Sequence, residues 1–351
     1  MRHATVILAL IVLLACCPAG RTGSPVVNAD QTVIMVWNPE TKTQHFIRKA
    51  SFKSSAQDLG FLVPTPSIPE LAETGNDAFG MLAMVTAPEV IRRRRSESGG
   101  CLACGLVESK SAAPARDANV TVLAEARVAG FDAKVLEATS ADALVEWLNQ
   151  NGYEFSPEVA AWAQPYIVDG WKITALKVAS DSPVNADAAE SKLPSKLEAK
   201  ALRISFRTER PLFPYREPDP TTAAAALQAK TRMLRIFFVS DKRYHGELTP
   251  EQPWTGSTAW AGKLSPAQTG ALDKALQLPP NSLPSQTYLT EFEDLWPYRA
   301  APADVYFAPS KNQLDVRRLP EVLYVDNTQA LPRTLAIALC VAAAWYVGRR
   351  K

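Results

Sequence analysis

The sequence predicts an α+β fold of mostly antiparallel strands with a few short amphipathic helices, set between an N-terminal signal peptide and a C-terminal transmembrane helix. Three observations point there. Strand-like patterns outnumber helical ones between residues 24 and 328, and the chain's 27 prolines punctuate them. A short apolar run follows Arg2, and a second, charge-free run ends at Arg349, Arg350 and Lys351. The stretch between the two runs, roughly 300 residues, is long enough for one large or two modest cores.

Residues 4–15 (ATVILALIVLLA) behind Arg2, with the small Cys16, Cys17 and Ala19 following, have the form of an export signal. The run is short for a membrane span, so a leader over residues 1–19 is expected to be removed. Two kinds of cut compete. Leu13-Leu14-Ala15-Cys16 resembles a bacterial lipobox, which would make Cys16 the acylated first residue; an ordinary signal peptidase would cut after Ala15 or after Ala19. A chain already held at its C-terminus gains little from a lipid, which favours the plain signal peptide.

A first α+β domain is expected over residues 24–180. Residues 33–37 (VIMVW) are continuously apolar, as in a strand buried on both faces. Asn38-Pro39-Glu40-Thr41 is a turn, residues 44–52 return as its hairpin partner, and residues 59–64 (LGFLVP) form a third strand stopped by a proline-rich run. An arginine- and cysteine-bearing loop follows. Beyond it, Val120, Val122, Ala124, Ala126 and Val128 alternate with polar residues as in a half-buried strand, and residues 131–136 pair back through Ala129-Gly130. Ser140 and Gly152 bracket a helix with Ala141, Leu144, Val145 and Leu148 on one face. A second helix is capped by Ser156, begins at Pro157 and stops before Gly170. Residues 171–178 (WKITALKV) close this half as a strand.

Residues 181–200 are polar and proline-interrupted, as in a linker or long surface loop. Residues 201–328 form a second β-rich domain or a continuation of the first. Leu202, Ile204 and Phe206 alternate with Arg203, Ser205 and Arg207; residues 233–239 (MLRIFFV) and 304–307 are further strands, and Ser265-Pro266 starts one short helix. Residues 334–348 (TLAIALCVAAAWYVG) carry no charge and lie between Arg333 and the basic tip at 349–351. As a helix they span about 22 Å, short of the ~30 Å hydrocarbon core, a gap that arginine snorkelling and local thinning can close. Trp345 and Tyr346 stand where interfacial aromatics belong, and the basic tip marks the cytoplasmic side. The alternative, a buried core helix, rarely lacks charge on every face. Leu331-Pro332-Arg333-Thr334 resembles a sortase site, but Leu335 stands where the sorting signal needs glycine.

A net charge of +2, with basic residues dispersed except at Arg92, Arg93, Arg94 and Arg95, excludes nucleic acid as an expected partner. That arginine run could neutralise anionic headgroups or an envelope polymer; a solvated loop or protease-sensitive tip is the simpler reading. Cys101 and Cys104 have redox spacing but no strand-to-helix frame, and Gly105 stands where a haem motif needs histidine. In an oxidising compartment a structural disulfide is favoured over metal, and Cys16 and Cys17, if retained, could form two bridges to this loop. Cys340 reads as a small apolar residue. Only His45 and His245 lie beyond the leader, and neither has a nucleophile in a recognisable frame. Glu291, Glu293 and Asp294 could serve as acid and base, but on a strand they are expected to coat a solvent face. Trp37, Trp147, Trp162 and Trp171 fall on core stripes. No catalytic, cofactor or metal residues are assigned.

The runs NADQTVIMVWNPETKTQHFIRKASF and FLVPTPSIPEL, then VEWLNQNGYEF, YIVDGWKITALKV, LRISF and FPYRE, resemble in their order a bacterial family known as domain of unknown function 2330. The likeness covers residues 28 to about 307. It implies an exported protein with a C-terminal membrane helix and basic tip, and no activity. The expected protein is therefore a single-pass, membrane-anchored extracytoplasmic module that binds or supports other envelope components, with an envelope protein or anionic polymer as partner. The alternative is an envelope enzyme, either a hydrolase using acidic residues or a thiol oxidoreductase using Cys101 and Cys104.

Overall fold

The computed structural model describes residues 17–19, 31–49, 60–95, 120–153, 158–179, 200–217, 231–249, 252–297 and 303–326. They divide into two compact units. One holds the described residues up to 87 and from 120 to 317; the other holds 88–95 and 318–326.

The apolar run at 33–37 becomes β2 (Gln31–Asn38), the central strand of a seven-stranded sheet. With β3 (Thr43–Arg48), β5 (Glu70–Thr74), β10 (Ala201–Arg207), β12 (Thr231–Ser240), β15 (Ser257–Lys263) and β16 (Tyr288–Pro297), the order is β15-β16-β12-β2-β3-β10-β5. All its pairings are antiparallel except that of β2 with β12. The β2–β3 turn is fastened by Asn38 Oδ1, which accepts from Glu40 N at 2.9 Å. Strands from both sides of residues 181–200 thus share one sheet.

Central placement explains the unbroken apolar pattern, because β2 has packing on both faces. Ile34 and Val36 face α1 (Asp77–Val85) and α4 (Pro266–Leu276), while Val33, Met35 and Trp37 face the opposite layer. Each such side chain contributes roughly 1.5–3 kcal/mol on burial. The α4 helix starts as expected, with Ser265 and Gln268 forming a reciprocal capping box and Pro266 in the first turn. The sequence reading missed β5 and α1. Gly80 weakens the helical propensity of α1, and its run DAFGMLAMV has no polar face to reveal a helical period.

The opposite layer contains a five-stranded antiparallel sheet of order β1-β4-β9-β8-β7: β1 (Cys17–Ala19), β4 (Gly60–Thr65), β9 (Lys172–Val178), β8 (Phe131–Glu137) and β7 (Thr121–Val128). Phe61, Val63, Phe131, Ala133 and Leu176 point into the core shared with the large sheet. Leu62, Leu136, Ile173 and Ala175 point the other way, onto α2 (Ala141–Gln150) and α3 (Glu158–Val168). Ser140 caps α2 by accepting from Ala143 N. Gly152 and Gly170 then end α2 and α3 with φ of 74° and 69°, a left-handed turn that glycine adopts without strain. The capping bonds Tyr153 N→Leu148 O and Trp171 N→Tyr166 O are 2.9 and 2.8 Å.

A small third sheet, β11 (Leu212–Phe213), β17 (Val305–Pro309), β13 (Tyr244–Thr249) and β14 (Gln252–Pro253) in that order, adds Phe213, Val305, Phe307 and Tyr244 to the shared core. Phe238 stacks on Phe307 at 4.7 Å between ring centroids. The first unit is therefore layered helix, sheet, sheet, helix.

In the second unit, β6 (Val90–Arg95) and β18 (Glu321–Asp326) pair in parallel, from Val90 opposite Glu321 to Arg95 opposite Asp326. Val90, Ile91, Leu319 and Leu323 are exposed apolar side chains there.

Candidate functional site

The polar chemistry of the first unit collects in three buried clusters. The largest is centred on Tyr215, just past β11. Its backbone N–H donates to Asp304 Oδ1 at 3.0 Å and its hydroxyl donates to Asp294 Oδ2 at 2.9 Å, so one residue joins two buried carboxyl groups. Asp304 Oδ1 also accepts from Tyr166 Oη at 2.9 Å and Arg216 N at 3.0 Å, and Asp294 Oδ1 accepts from Thr255 Oγ1 at 3.0 Å. Trp162 Nε1 donates to Arg216 O at 3.0 Å, and the Trp254 ring meets Tyr215 edge-on. Burial pushes the Asp304 carboxyl above the usual carboxylate range, opposed by the donors from Arg216, Tyr166 and Tyr215. Through these bonds helix α3, the loop after β11, strand β16 and the start of β17 are fastened to one another.

The second cluster lies under the end of α4. His45 on β3 and Ser205 on β10 occupy paired positions, with His45 Nδ1 2.8 Å from Ser205 Oγ. Both are buried, and His45 Nε2 has no hydrogen-bond partner among the described residues. Desolvation, then the Arg203 charge, lowers the imidazole pKa from 6.5 to about 4, so the ring is neutral near pH 7. Arg203 itself donates to Gln277 O at 2.7 Å and pairs with Glu70 at 3.3 Å. A serine nucleophile activated by this histidine would need an orienting acceptor on Nε2. Here the pair is a cross-strand tie inside the sheet.

The third cluster corrects an expectation. Glu291 and Asp294 do not coat a solvent face: they are 1% and 2% exposed. The reason is position, since β16 lies between β15 and β12 and both its faces are covered near these residues. Arg235 supplies the charge, its Nε 3.0 Å from Glu291 Oε1 and its Nη2 2.7 Å from Glu293 Oε1. Strand alternation puts Asp294 on the opposite face, so the three acids do not converge as one acid–base pair.

The remaining residues singled out in the sequence fall apart in space. His245 is on β13, half-exposed, 3.7 Å from Glu247 Oε2. Trp37, Trp147 and Trp162 are core residues and Trp171 is partly buried against it. Arg92 to Arg95 belong to strand β6 rather than to a loop tip, because β18 supplies a partner far away in sequence. Cys16, Cys101, Cys104 and Cys340 lie outside the described residues, and Cys17 is placed through its backbone pairing with Leu62. The disulfide, metal and redox expectations for Cys101 and Cys104 therefore fall outside the described residues as well. Among the described residues no group of three or more His, Cys, Asp and Glu side chains is arranged to hold a metal. The run at 334–348 is also outside them, and no described helix is long and apolar enough to cross a membrane. Sequence reasoning missed Gln44, Tyr215 and Asp304, whose roles carry no local signature.

These features define the class: an α+β protein with layered sheets whose buried acids and histidine serve as internal ties. A family model described as an uncharacterized protein conserved in bacteria, domain of unknown function 2330, matches residues 14–307, and the chain belongs to that family. No curated protein and no solved structure matches it.

Proposed function

We propose that the protein is an exported, single-pass membrane-anchored module of the bacterial envelope, which acts by binding or supporting other envelope components rather than by catalysis. The observation that carries this reading is the use made of the polar groups. Asp294 and Asp304 are committed to bonds between elements of the fold, and His45 to a tie between neighbouring strands of one sheet; these are the residues best suited to acid–base work. The charge-free run at 334–348 and its basic tip supply the anchor, and β18 ends at Asp326, only a few residues before it. An envelope protein or an anionic polymer is the partner such a module would hold, with the four arginines of β6, the strand paired with β18, as the basic run it would use.

The test is topological. A reporter enzyme fused after Lys351 is expected to be cytoplasmic, and deleting residues 334–348 is expected to move the protein from the membrane to the soluble extracytoplasmic fraction. A reporter active on the outer side of the membrane at Lys351 overturns the anchor.

A further inference from the structure

We propose that the leader is cut between Ala15 and Cys16, so that Cys16 begins the mature protein and β1 is part of the folded domain. This rests on the export reading above and fixes where the leader ends.

Cys17, Pro18 and Ala19 pair antiparallel with Leu62, Phe61 and Gly60, and so cover the outer edge of the five-stranded sheet. The strand they cover is a core element: Phe61 and Leu62 are 2% and 0% exposed and pack into opposite cores. With both faces occupied, the edge backbone of β4 is what remains for a neighbour to satisfy.

The sequence of β1 suits that position. Proline has no N–H to give a ladder and within sheets is confined to edges, and Pro18 sits in the middle of an edge strand. There it also blunts the edge against pairing with another chain. On β4, the residues beyond the reach of β1 include Pro64, whose missing N–H asks for no partner on that side. The family match begins at residue 14, so the shared sequence runs through Cys16 to Ala19 instead of starting after them.

A cut after Ala19 has small residues in the right places but would remove all three residues of β1 and open the edge it covers. A cut after Ala15 keeps them. In that step water adds across the Ala15–Cys16 amide and the C–N bond breaks: the carbonyl carbon gains the water oxygen and becomes the Ala15 carboxylate, and the nitrogen takes both protons of the water and becomes the Cys16 ammonium.

The experiment is to express the full chain with its own leader in a bacterial host, recover it from membranes, digest after lysine, and weigh the N-terminal peptide, which ends at Lys42. A peptide beginning at Cys16, acylated or free, is the expected result. One beginning at Gly20 overturns the inference and leaves export intact, whereas one still beginning at Met1 overturns both. As a second measurement, a chain lacking residues 16–19 behind the same leader is expected to lose amide exchange protection at residues 60 and 62, the pairs that flank Pro18. Undiminished protection there would show that β1 does not cover β4.

Discussion

His45, which had no nucleophile in a recognisable sequence frame, meets a serine only in the fold. An imidazole within 2.8 Å of a serine hydroxyl is a familiar catalytic pairing, yet here both groups are buried between paired strands and the ring is held neutral by desolvation and by Arg203. The sign of the consequence is fixed by the two protonation equilibria. The unfolded ring takes a proton near pH 6.5 and the folded one only near 4. The neutral ring's contribution is therefore complete above about pH 6.5, declines as pH falls through that window, and is lost below about 4. At ~1.4 kcal/mol per unit the loss is on the order of 3 kcal/mol. His45→Asn, which keeps a hydrogen-bonding atom near Nδ1, is expected to flatten the pH dependence of the melting temperature between those limits. An equally steep dependence in the variant would assign the acid sensitivity to other groups.

At the scale of elements, the sheets are tied by side chains that imitate backbone. Gln44, fully buried on β3, donates through Nε2 to Leu212 O at 2.7 Å and accepts from Leu212 N at 2.8 Å, so its amide completes the ladder of β11 as a neighbouring strand would. Gln44→Leu would leave both Leu212 groups buried and unpaired, at a cost of about 2–4 kcal/mol. Chemical denaturation should show that loss; a variant as stable as the parent would mean that water reaches Leu212. The elements most legible in sequence were those with local chemistry. Ser140, Gly152, Ser265 and Gly170 mark the helix ends they were expected to mark, since caps act within one turn. Gln44 was illegible because the backbone it satisfies lies 168 residues away.

At the scale of the whole chain, the two units make a distinct prediction. The pairing of β6 with β18 joins residues more than two hundred positions apart, and neither strand has another neighbour among the described residues. Truncation after Arg318 is expected to remove amide exchange protection from residues 91–95 while leaving that of β12 and β16 unchanged. Loss of protection in both places would show that the two units unfold as one.

What the sequence settled was local or compositional: the α+β class, the strands at 33–37, 131–136, 171–178 and 233–239, the helix caps, and the family. These rest on periodicity and on residues that act within a few positions of themselves. Tertiary structure decided which strands are neighbours, and with that the meaning of the charged residues. Glu291 and Asp294 read as surface acids until β15 and β12 enclosed β16, and Arg92 to Arg95 read as a loop until β18 paired with them. A carboxylate or an arginine looks the same in sequence whether it meets water or a partner. Only the long-range pairing of strands determines which it meets, because burial is a property of what packs on top.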